Sequence, residues 1–527
     1  MLVIAPILLP MLGAAVSLAF WGRASVQHAI AVACSAIALA VAVTLLVVVD
    51  RQGIQVSAMG GWAAPFGIAL VADRFGAIMV LLGTIVGFAV CIYSIAATDS
   101  RRAANGHVPL VLSMLAAVSG AFLSGDLFNL YVWFELMLLS SFVLLTLGGE
   151  RAQLEGAIKY VTLNLLSSVV FLATVGIIYA SVGTLNMAHL AQRLDALEDP
   201  AFATLIGTPL LVAFGIKAAV FPLFFWLPAS YHTPPPAVSA LFAGLLTKVG
   251  VYSLIRATTL MFDQEQQLLG DAILIVAGLT MAFGVLGAVA QNDIRRILSF
   301  HIVSQIGYML MGLGIALSLL GRPDADQDTR DMALFAMVGS VLYIMHHIIV
   351  KTNLFLIGGA VLKLRGSSEL KNISGIVTTN PLLSGLFLVS ALSLAGIPIL
   401  SGFWAKLILV RAGLEAQAYS IVAVSLAVSL LTLLSMTKIW TQAFWGEAPD
   451  EVAPIRRRAL GTMYAPIIVL AVLTLLIGFG APVAYSMAEQ ASRSLLDPAS
   501  YIDAVMPDGL PVDAEVPAEP TGGGTMP

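Results

Sequence analysis

The sequence predicts an all-α polytopic membrane protein with about fourteen transmembrane helices. The chain has 527 residues, of which 59% are hydrophobic and only 11% are charged, and its mean hydropathy is +0.95. Soluble domains usually carry about 25% charged residues, so this chain has too few polar groups to cover its surface in water. Apolar runs long enough to cross the roughly 30 Å hydrocarbon core recur from end to end.

The composition and motif content argue against several classes of function. The net charge of −4 indicates no basic surface for nucleic acid. The only cysteines, Cys34 and Cys91, both lie inside apolar runs, which favours small core residues over a disulfide or metal site. Because no GxGxxG, P-loop, HExxH or CxxC pattern occurs, the sequence predicts neither a bound cofactor nor an enzyme active site.

Turn residues and charges divide the chain into fourteen predicted spans. They lie near 2–21, 26–49, 73–97, 108–124, 126–147, 158–183, 202–228, 235–259, 268–290, 298–320, 331–362, 381–411, 417–443 and 461–487. The tail over 488–527 is acidic and rich in proline and glycine, and it is predicted to be partly disordered.

Loop charges predict the orientation of these spans. Loops after odd-numbered helices carry thirteen lysines and arginines, whereas loops after even-numbered helices and the tail carry eight. Cytoplasmic loops are enriched in lysine and arginine. The odd-numbered loops are therefore predicted to be cytoplasmic, with both termini external.

A short set of charged residues remains inside the predicted spans. These residues are Glu135, Lys217, Lys248, Lys351, Lys406 and Lys438. Each charge near the bilayer centre costs about 2.5–3.5 kcal/mol on an insertion scale, so a compensating role is expected. Lys438 is close enough to a helix end to reach the interface with its ammonium group. Glu135, Lys217 and Lys248 lie deeper, which favours function over a purely structural ion pair, although that alternative stays open.

Glutamate and lysine are suited to carrying protons through a low-dielectric interior. Burial disfavours the charged form of either group, and a neighbouring opposite charge restores it. A Glu–Lys pair can therefore change its proton occupancy when its surroundings change. Arginine retains its proton in proteins, and the arginines of this chain are all expected in loops, in the tail or at helix ends. The pattern predicts a proton relay.

Several histidines extend this hypothesis. His347 and Lys351 are spaced i, i+4 on one predicted helix, next to His346, and histidine titrates near neutral pH. Two satisfied histidines of a helix bundle are the alternative. His232, in the loop before helix 8, and His301, at the start of helix 10, are expected at membrane interfaces, with relay membership as the alternative. Adjacent helical residues point about 100° apart, which argues against a metal on His346 and His347.

Two predicted helices contain backbone breakers beside a lysine. Pro222 follows Lys217 in helix 7, and Gly396, Pro398 and Gly402 precede Lys406 in helix 12. Broken helices in matching places of two halves are typical of transporters built from inverted repeats. The pattern predicts five-helix repeats over 108–259 and 268–443, flanked by three helices over 1–107 and a last helix over 461–487. Simple proline kinks are the alternative.

Four segments together resemble the antiporter-like membrane subunits shared by respiratory complex I, membrane-bound hydrogenases and Mrp-type cation/proton antiporters. They are GDLFNLYVWFELMLLSS, FGIKAAVFPLFFWLPASYHTPPPAVSALFAGLLTKVGVY, QNDIRRILSFHIVSQIGYM and SLAGIPILSGFWAK. Within this family the fourteen-helix length, a lysine at position 406, and the LVIAPILLPMLGAAVSL and AFWGE segments are most similar to the D-type subunits of Mrp antiporters. The resemblance covers most of the chain.

The resemblance implies roles and partners. It implies that Glu135 pairs with Lys217, that Lys248 relays protons in the membrane plane, and that Lys406 lies at an exit. It further implies a prokaryotic plasma membrane and assembly with other Mrp subunits (A, B, C, E, F and G), exchanging protons for Na⁺ or another monovalent cation. Asp126, at the mouth of helix 5, is the one weak candidate for Na⁺ binding. A redox-driven pump subunit and a non-transporting scaffold are the alternatives.

Overall fold

The computed structural model describes residues 1–447 and 457–507. Helices dominate these ranges. The helices of the amino-terminal half are α1 (Ala5–Ala19), α2 (Ala24–Gln52), α3 (Arg74–Ala97), α4 (Ser100–Ala104), α5 (His107–Leu123), α6 (Leu127–Thr146), α7 (Arg151–Val182), α8 (Met187–Asp195), α9 (Pro200–Ala218), α10 (Trp226–Ser230) and α11 (Pro236–Arg256). A π-helical turn over Ala257–Met261 extends α11.

The carboxyl-terminal half continues in the same manner. Its helices are α12 (Gln266–Ala290), α13 (Ile294–Leu320), α14 (Gln327–Arg365), α15 (Ile376–Thr379), α16 (Pro381–Ala395), α17 (Ser401–Glu415), α18 (Tyr419–Ile439), α19 (Arg457–Phe479), α20 (Ala481–Leu495) and α21 (Pro498–Val505). Two short antiparallel strands, β1 (Gln55–Ala58) and β2 (Ala69–Ala72), form a hairpin between α2 and α3.

The predicted membrane-protein class is confirmed. Within the described ranges, eleven helices are long and apolar enough to cross a membrane, and three shorter apolar helices, α1, α5 and α16, join them. These fourteen elements correspond one to one with the fourteen predicted spans. Helix ends differ by several residues in places, because loop polarity marks a boundary less sharply than backbone geometry does.

Burial places α11, α13 and α14 at the centre of the bundle. All of the apolar window of the α11 span is buried, as is 94% of that of α13 and 89% of that of α14, compared with 28% for α2. Close packing of α12 on α13 depends on glycines. A Cβ at Gly284 would collide with the Ser304 backbone, and one at Gly307 would collide with the Ala277 carbonyl. Small residues of this kind let membrane helices approach closely.

Both predicted helix breaks are present. α9 ends at Ala218, Ala219 adopts a left-handed φ of 61°, and α10 begins at Trp226, with Pro222 in the connection. α16 ends at Ala395, Gly396 has a φ of 90°, and α17 begins at Ser401. Each break leaves carbonyl groups at a helix end without a partner in their own helix.

One part of the predicted organisation needs correction. The predicted last helix over 461–487 is two elements, because α19 ends at Phe479 and α20 begins at Ala481. The tail, predicted to be partly disordered, begins with helical structure. α20 continues to Leu495, and α21 follows with Tyr501 buried. Its apolar positions pack on the bundle despite the acidic composition. The remainder of the predicted disordered tail lies outside the described residues.

Candidate proton pathway

The Lys217 ammonium group is buried at the end of the first half of the broken helix. Its Nζ donates to the Asn164 carbonyl at 3.2 Å and to Ser168 Oγ at 3.3 Å, and it lies 5.7 Å from the centre of the Phe134 ring. Lys217 itself is only 4% exposed. Two helix-α7 oxygens and an aromatic face thus hold this cation.

Glu135 lies near Lys217 but is not in direct contact with it. The two groups interact electrostatically, yet no ion pair within 4 Å joins them among the described ion pairs. Glu135 is half-buried, and its Oε1 is fully buried without a hydrogen-bond partner in the described chain. The structure thus brings the two groups within electrostatic range, with the Lys217 ammonium group turned toward α7. A carboxylate oxygen without a fixed partner remains available to accept a proton.

Lys248 occupies the centre of α11. It is fully buried, and its Nζ donates to the Ala243 carbonyl of its own helix. A Cβ at Gly250 would lie 2.5 Å from the Ala218 nitrogen. The end of α9 that carries Lys217 therefore packs directly against the turn of α11 that carries Lys248.

The central part of α14 carries buried polar groups with few fixed partners. Lys351 and His347 are fully buried, and neither Nζ of Lys351 nor either ring nitrogen of His347 has a partner within the described residues. Both groups interact electrostatically with Lys248. Buried polar groups are normally hydrogen-bonded. Groups without a fixed bond can reorient between neighbours, as a relay requires.

At the second break, Lys406 faces the end of α16. Its Nζ donates to the Ala395 carbonyl at 3.1 Å and lies 4.9 Å from the centre of the Tyr308 ring. Ala395 is the last residue of α16, so the ammonium group caps a helix carboxyl terminus, where the helix dipole is negative. Lys406 is 7% exposed.

Histidines connect the α14 centre to Lys406. His346 shares a hydrogen bond with Ser401 through Nδ1 at 2.8 Å, and it interacts electrostatically with both Lys406 and Lys351. Gly402, predicted as part of the break, lies inside α17. A Cβ there would collide with the Ser393 carbonyl and approach His346. Its function in packing is to let α17 approach α16 and α14.

Two histidine predictions are resolved differently. His301 is fully buried within α13 and contacts Ser435 through Nε2, so it does not lie at the start of its helix as expected. α13 begins at Ile294, seven residues earlier, which places His301 two turns inside. His232 does lie in the connection before α11, where its Nδ1 donates to the Pro228 carbonyl at 2.8 Å. Burial lowers the pKa of His232.

Two buried arginines were missed. Arg295, expected in a loop, is 6% exposed and donates to Ser239 Oγ at 2.6 Å. Arg256 forms an ion pair with Asp73 at 2.5 Å, and both side chains are nearly inaccessible. The Tyr501 ring of α21 lies 5.0 Å from the Arg256 guanidinium. Arginine at a helix end resembles a loop residue in sequence, so only the fold reveals these contacts.

Asp126 has a local structural function. Its carboxylate accepts the Asn129 amide at 2.8 Å and caps the amino terminus of α6. Burial raises the pKa of Asp126. Within residues 1–447 and 457–507, no group of three or more His, Cys, Asp or Glu side chains is placed to hold a metal ion.

The polar groups form a series across the middle of the bundle. It runs from Glu135 through Lys217 and Lys248 to His347 and Lys351, and then through His346 and His301 to Lys406. Electrostatic interactions join neighbouring members, except between Lys217 and Lys248, where helix packing alone brings the two turns together. Lysine and histidine side chains can each gain and lose a proton, which arginine does not do in proteins. The arrangement is therefore suited to exchanging protons between neighbours.

Comparison with known families agrees with this geometry. The family model described as "NADH:quinone oxidoreductase/Mrp antiporter, TM" matches residues 124–432, more than half of the chain. The chain belongs to this family. The matched segment contains every member of the polar series.

Two curated relatives and one solved structure are similar over nearly the whole chain. The D subunit of the Na⁺/H⁺ antiporter of Alkalihalophilus pseudofirmus is 45% identical, covering 96% of this chain and 99% of that protein. The D subunit of the Na⁺/H⁺ antiporter of Bacillus subtilis is 38% identical with the same coverage. A chain in the structure of the Mrp complex from Dietzia sp. DQ12-45-1b has 33% identity and a TM-score of 0.88, covering 96% of this chain and 99% of that chain.

Proposed function

We propose that the chain is the proton-translocating subunit of a multisubunit Na⁺/H⁺ antiporter. Protons move along the series from Glu135 and Lys217 through Lys248, His347 and Lys351 to Lys406, and Na⁺ or another monovalent cation moves in the opposite direction. The protein is a transporter subunit rather than an enzyme, and it works with other Mrp subunits (A, B, C, E, F and G) in the membrane.

One observation carries this proposal. A series of buried lysines, histidines and a carboxylate joins two broken helices in a protein whose relatives are antiporter D subunits. Buried ionisable groups in membrane helices are costly and are characteristic of ion pathways. Similarity to antiporter D subunits over nearly the whole chain favours antiport over the redox-driven pumps that share the family.

The test uses inverted membrane vesicles that contain the natural complex. A pH-sensitive dye reports collapse of an imposed pH gradient when NaCl is added. The wild type is expected to respond, and Glu135→Gln is expected to lose the response because an amide cannot carry a proton. The matched control is Glu155→Gln, which neutralises an exposed glutamate paired with Lys159 on the surface of α7. Assembly of each complex is checked by recovery of all subunits.

The outcomes separate the alternatives. If Glu135→Gln assembles and responds like the control, Glu135 is not in the pathway, and the same result for Lys217→Ala would support a scaffold. If neither wild type nor control responds to NaCl while NADH or ferredoxin drives proton uptake, the chain belongs to a redox pump.

The orientation and internal organisation are parts of the same proposal. The excess of lysine and arginine in odd-numbered loops supports an orientation with both termini outside a prokaryotic plasma membrane. The matching breaks support two inverted five-helix repeats over 108–259 and 268–443. A membrane-impermeant label that reacts with an added carboxyl-terminal cysteine only in inverted vesicles would contradict the external tail.

The route of the cation can be tested at Asp126. Asp126 is the candidate within this chain, but its carboxylate already caps α6. If Asp126 binds Na⁺ as well, Asp126→Asn should raise the Na⁺ concentration for half-maximal response while Asn still caps the helix. An unchanged Na⁺ dependence would indicate that the cation crosses the membrane through a partner subunit.

A further inference from the structure

Tyr308 of α13, whose ring lies beside Lys406, is held in place through its own hydroxyl group. The side chain is buried, its hydroxyl donates to the Ser425 carbonyl at 2.5 Å, and its oxygen lies 2.8 Å from Ser429 Oγ. Both partners belong to α18. A buried tyrosine hydroxyl usually finds a hydrogen-bond partner. This one has two on a neighbouring helix, and they fix the far end of the ring.

Tyr343 of α14 fixes the plane of the same ring. The two ring centres are 5.1 Å apart and the ring planes differ by only 6°. The Tyr343 hydroxyl donates to Oε1 of Gln305, which lies one turn before Tyr308 on α13, and both Tyr343 and Gln305 are fully buried. Contacts from α13, α14 and α18 therefore hold the Tyr308 ring in one orientation.

The Lys406 ammonium group has few other sources of negative potential. Its Nζ lies 4.9 Å from the centre of the Tyr308 ring, and the Ala395 carbonyl is its only hydrogen-bond acceptor among the described residues. No carboxylate of the described chain lies within 4 Å of it. The face of an aromatic ring attracts a cation, and most strongly where the cation is desolvated. Lys406 is such a cation, because it is buried.

The titratable side chains around Lys406 do not supply this stabilisation. His346 of α14 and His301 of α13 interact electrostatically with Lys406, and a proton on either histidine would repel the ammonium group. His347 and Lys351 follow on α14. The other charged residues of α17 and of the helices packed on it (α13, α14, α16, α18 and α19) lie within five residues of a helix end. Of the side chains that interact directly with Lys406, only the tyrosine ring favours its charged form.

We propose that Tyr308 is a positioning residue for Lys406: the face of its ring holds the ammonium form beside the end of α16 and so sets the pH range in which Lys406 carries a proton. Tyr343 and Gln305 keep the ring in that position. The proposal rests on the proposed function in taking Lys406 as a member of the proton pathway. It adds a side chain that acts on the pathway without carrying a proton itself.

The first experiment weakens the ring face in steps. Phenylalanine with no, one, two or three ring fluorines replaces Tyr308 in the natural complex, and the Na⁺-dependent collapse of the pH gradient is measured in inverted vesicles over a range of pH. Fluorine withdraws electron density from the ring face and changes the ring size little. The alkaline limb of the pH profile is expected to move to lower pH with each fluorine, by roughly one pH unit over the series.

The matched control is the same fluorine series at Phe387. This buried residue of α16 stacks on Phe444 with ring centres 4.4 Å apart. Fluorination there is expected to leave the pH profile in place. If the series at Tyr308 moves the profile no further than the series at Phe387, or moves it to higher pH, the proposal is wrong.

The second experiment compares natural side chains. Tyr308→Phe keeps the ring and loses the bond to Ser425, whereas Tyr308→Leu removes the ring and is expected to shift the alkaline limb further. Tyr343→Phe keeps the stacked ring and loses only its bond to Gln305, so its shift should be the smallest. A purely structural role would lower the rate and the melting temperature without moving the profile. Recovery of all subunits checks assembly, and the fluorine series decides if Tyr308→Leu does not assemble.

Failure here is distinguishable from failure of the proposed function. If wild-type vesicles exchange Na⁺ for protons and the fluorine series leaves the profile unchanged, the role of Tyr308 is wrong and the antiporter stands. If Na⁺ has no effect on wild-type vesicles but redox-driven proton uptake shows the stepwise shift, Tyr308 positions Lys406 in a pump of another kind.

Discussion

In the first broken helix, Lys217 is held by two oxygens of α7 with the Glu135 carboxylate nearby, whereas in the second, Lys406 is held by the open end of α16. Near the end of α9, the carbonyl of Ile216, two residues before the last helical residue, accepts a hydrogen bond from the Trp226 indole at 3.0 Å. A neutral indole thus donates at the first break, and the Lys406 ammonium group donates at the second.

This difference shows two ways of keeping a cation inside a membrane protein. Near Lys217 a full negative charge is available from a side chain. Near Lys406 the compensation comes from a helix terminus equivalent to roughly half a charge and from the face of an aromatic ring. The two ammonium groups therefore depend on different sources of negative potential, a side chain for Lys217 and a helix end for Lys406.

The largest expected effect comes from Lys406→Arg. The guanidinium group can still cap α16, but it does not release its proton. Na⁺-dependent collapse of the pH gradient is expected to slow by roughly a hundredfold or more, with assembly intact. Lys406→Met serves as the contrast and should also lower the unfolding free energy by about 1 kcal/mol through loss of the cap. Normal transport by Lys406→Arg would show that Lys406 acts through its charge alone.

A smaller effect is expected from Ser168→Ala in the first break. The substitution removes one of the two oxygens bound to Lys217, while the Asn164 carbonyl remains. A hydrogen bond to a charged group contributes about 1.5 kcal/mol, so the transport rate is expected to change roughly tenfold. The same vesicle assay measures it, with Ser181→Ala on the exposed end of α7 as control. An unchanged rate would mean that Ser168 does not hold the ammonium group during transport.

Trp226→Phe tests the hydrogen bond that the Trp226 indole donates to the Ile216 carbonyl at the first break. The ring remains but the hydrogen bond to Ile216 is lost, so the unfolding free energy should fall by about 1 kcal/mol, with transport changed less than that of Ser168→Ala. Trp404→Phe is the matched variant at the second break, because its indole donates to the carbonyl of Gly478, a residue of α19 that packs against Ile399 and Leu400. Thermal unfolding in detergent compares the two. A large transport defect in Trp226→Phe alone would indicate that the hydrogen bond between Trp226 and Ile216 breaks and re-forms during transport.

The smallest expected effect concerns a titrating group outside both breaks. Burial and the neighbouring Asp195 raise the pKa of Asp263 to about 6. Folding therefore favours the protonated form, and the associated stability is lost as pH rises from about 4 to about 6. Asp263→Asn should raise the unfolding free energy by roughly 1 kcal/mol at pH 7.5, allowing for solvent screening at this partly exposed site, and change it little at pH 4.

The transport assay completes the Asp263 comparison. Its pH profile is expected to match the wild type, because Asp263 lies in a loop away from the polar series. A shifted profile would extend the pathway beyond the two breaks.

The sequence was sufficient to predict the fourteen spans, both breaks and the buried positions of Lys217, Lys248, Lys351 and Lys406. A charge inside an apolar run is conspicuous in the sequence, because placing it in the hydrocarbon core is costly. The acceptors were beyond sequence reasoning, because the Asn164 and Ala395 carbonyls are backbone atoms that every residue possesses.

The errors arose at helix ends. Arg256 and Arg295 lie at helix ends, where the surrounding sequence does not distinguish a buried side chain from an exposed one. Their burial depends on which helices meet there. His301 was expected at the start of its helix, whereas α13 begins at Ile294. The acidic composition of the tail did not indicate that Tyr501 is buried or that its ring contacts Arg256.

The length of α14 has a mechanical consequence. Its 39 residues extend about 58 Å, nearly twice the hydrocarbon thickness. His346 and Lys351 are five positions apart on it and so project about 140° apart around its axis. Any twist of this one rigid rod would carry the two groups in different directions, bringing one toward its neighbour as the other recedes. A spin label on α14 paired with one on α12, measured with and without a pH gradient, would detect such a rotation; an unchanged distance distribution would mean that the rod is stationary.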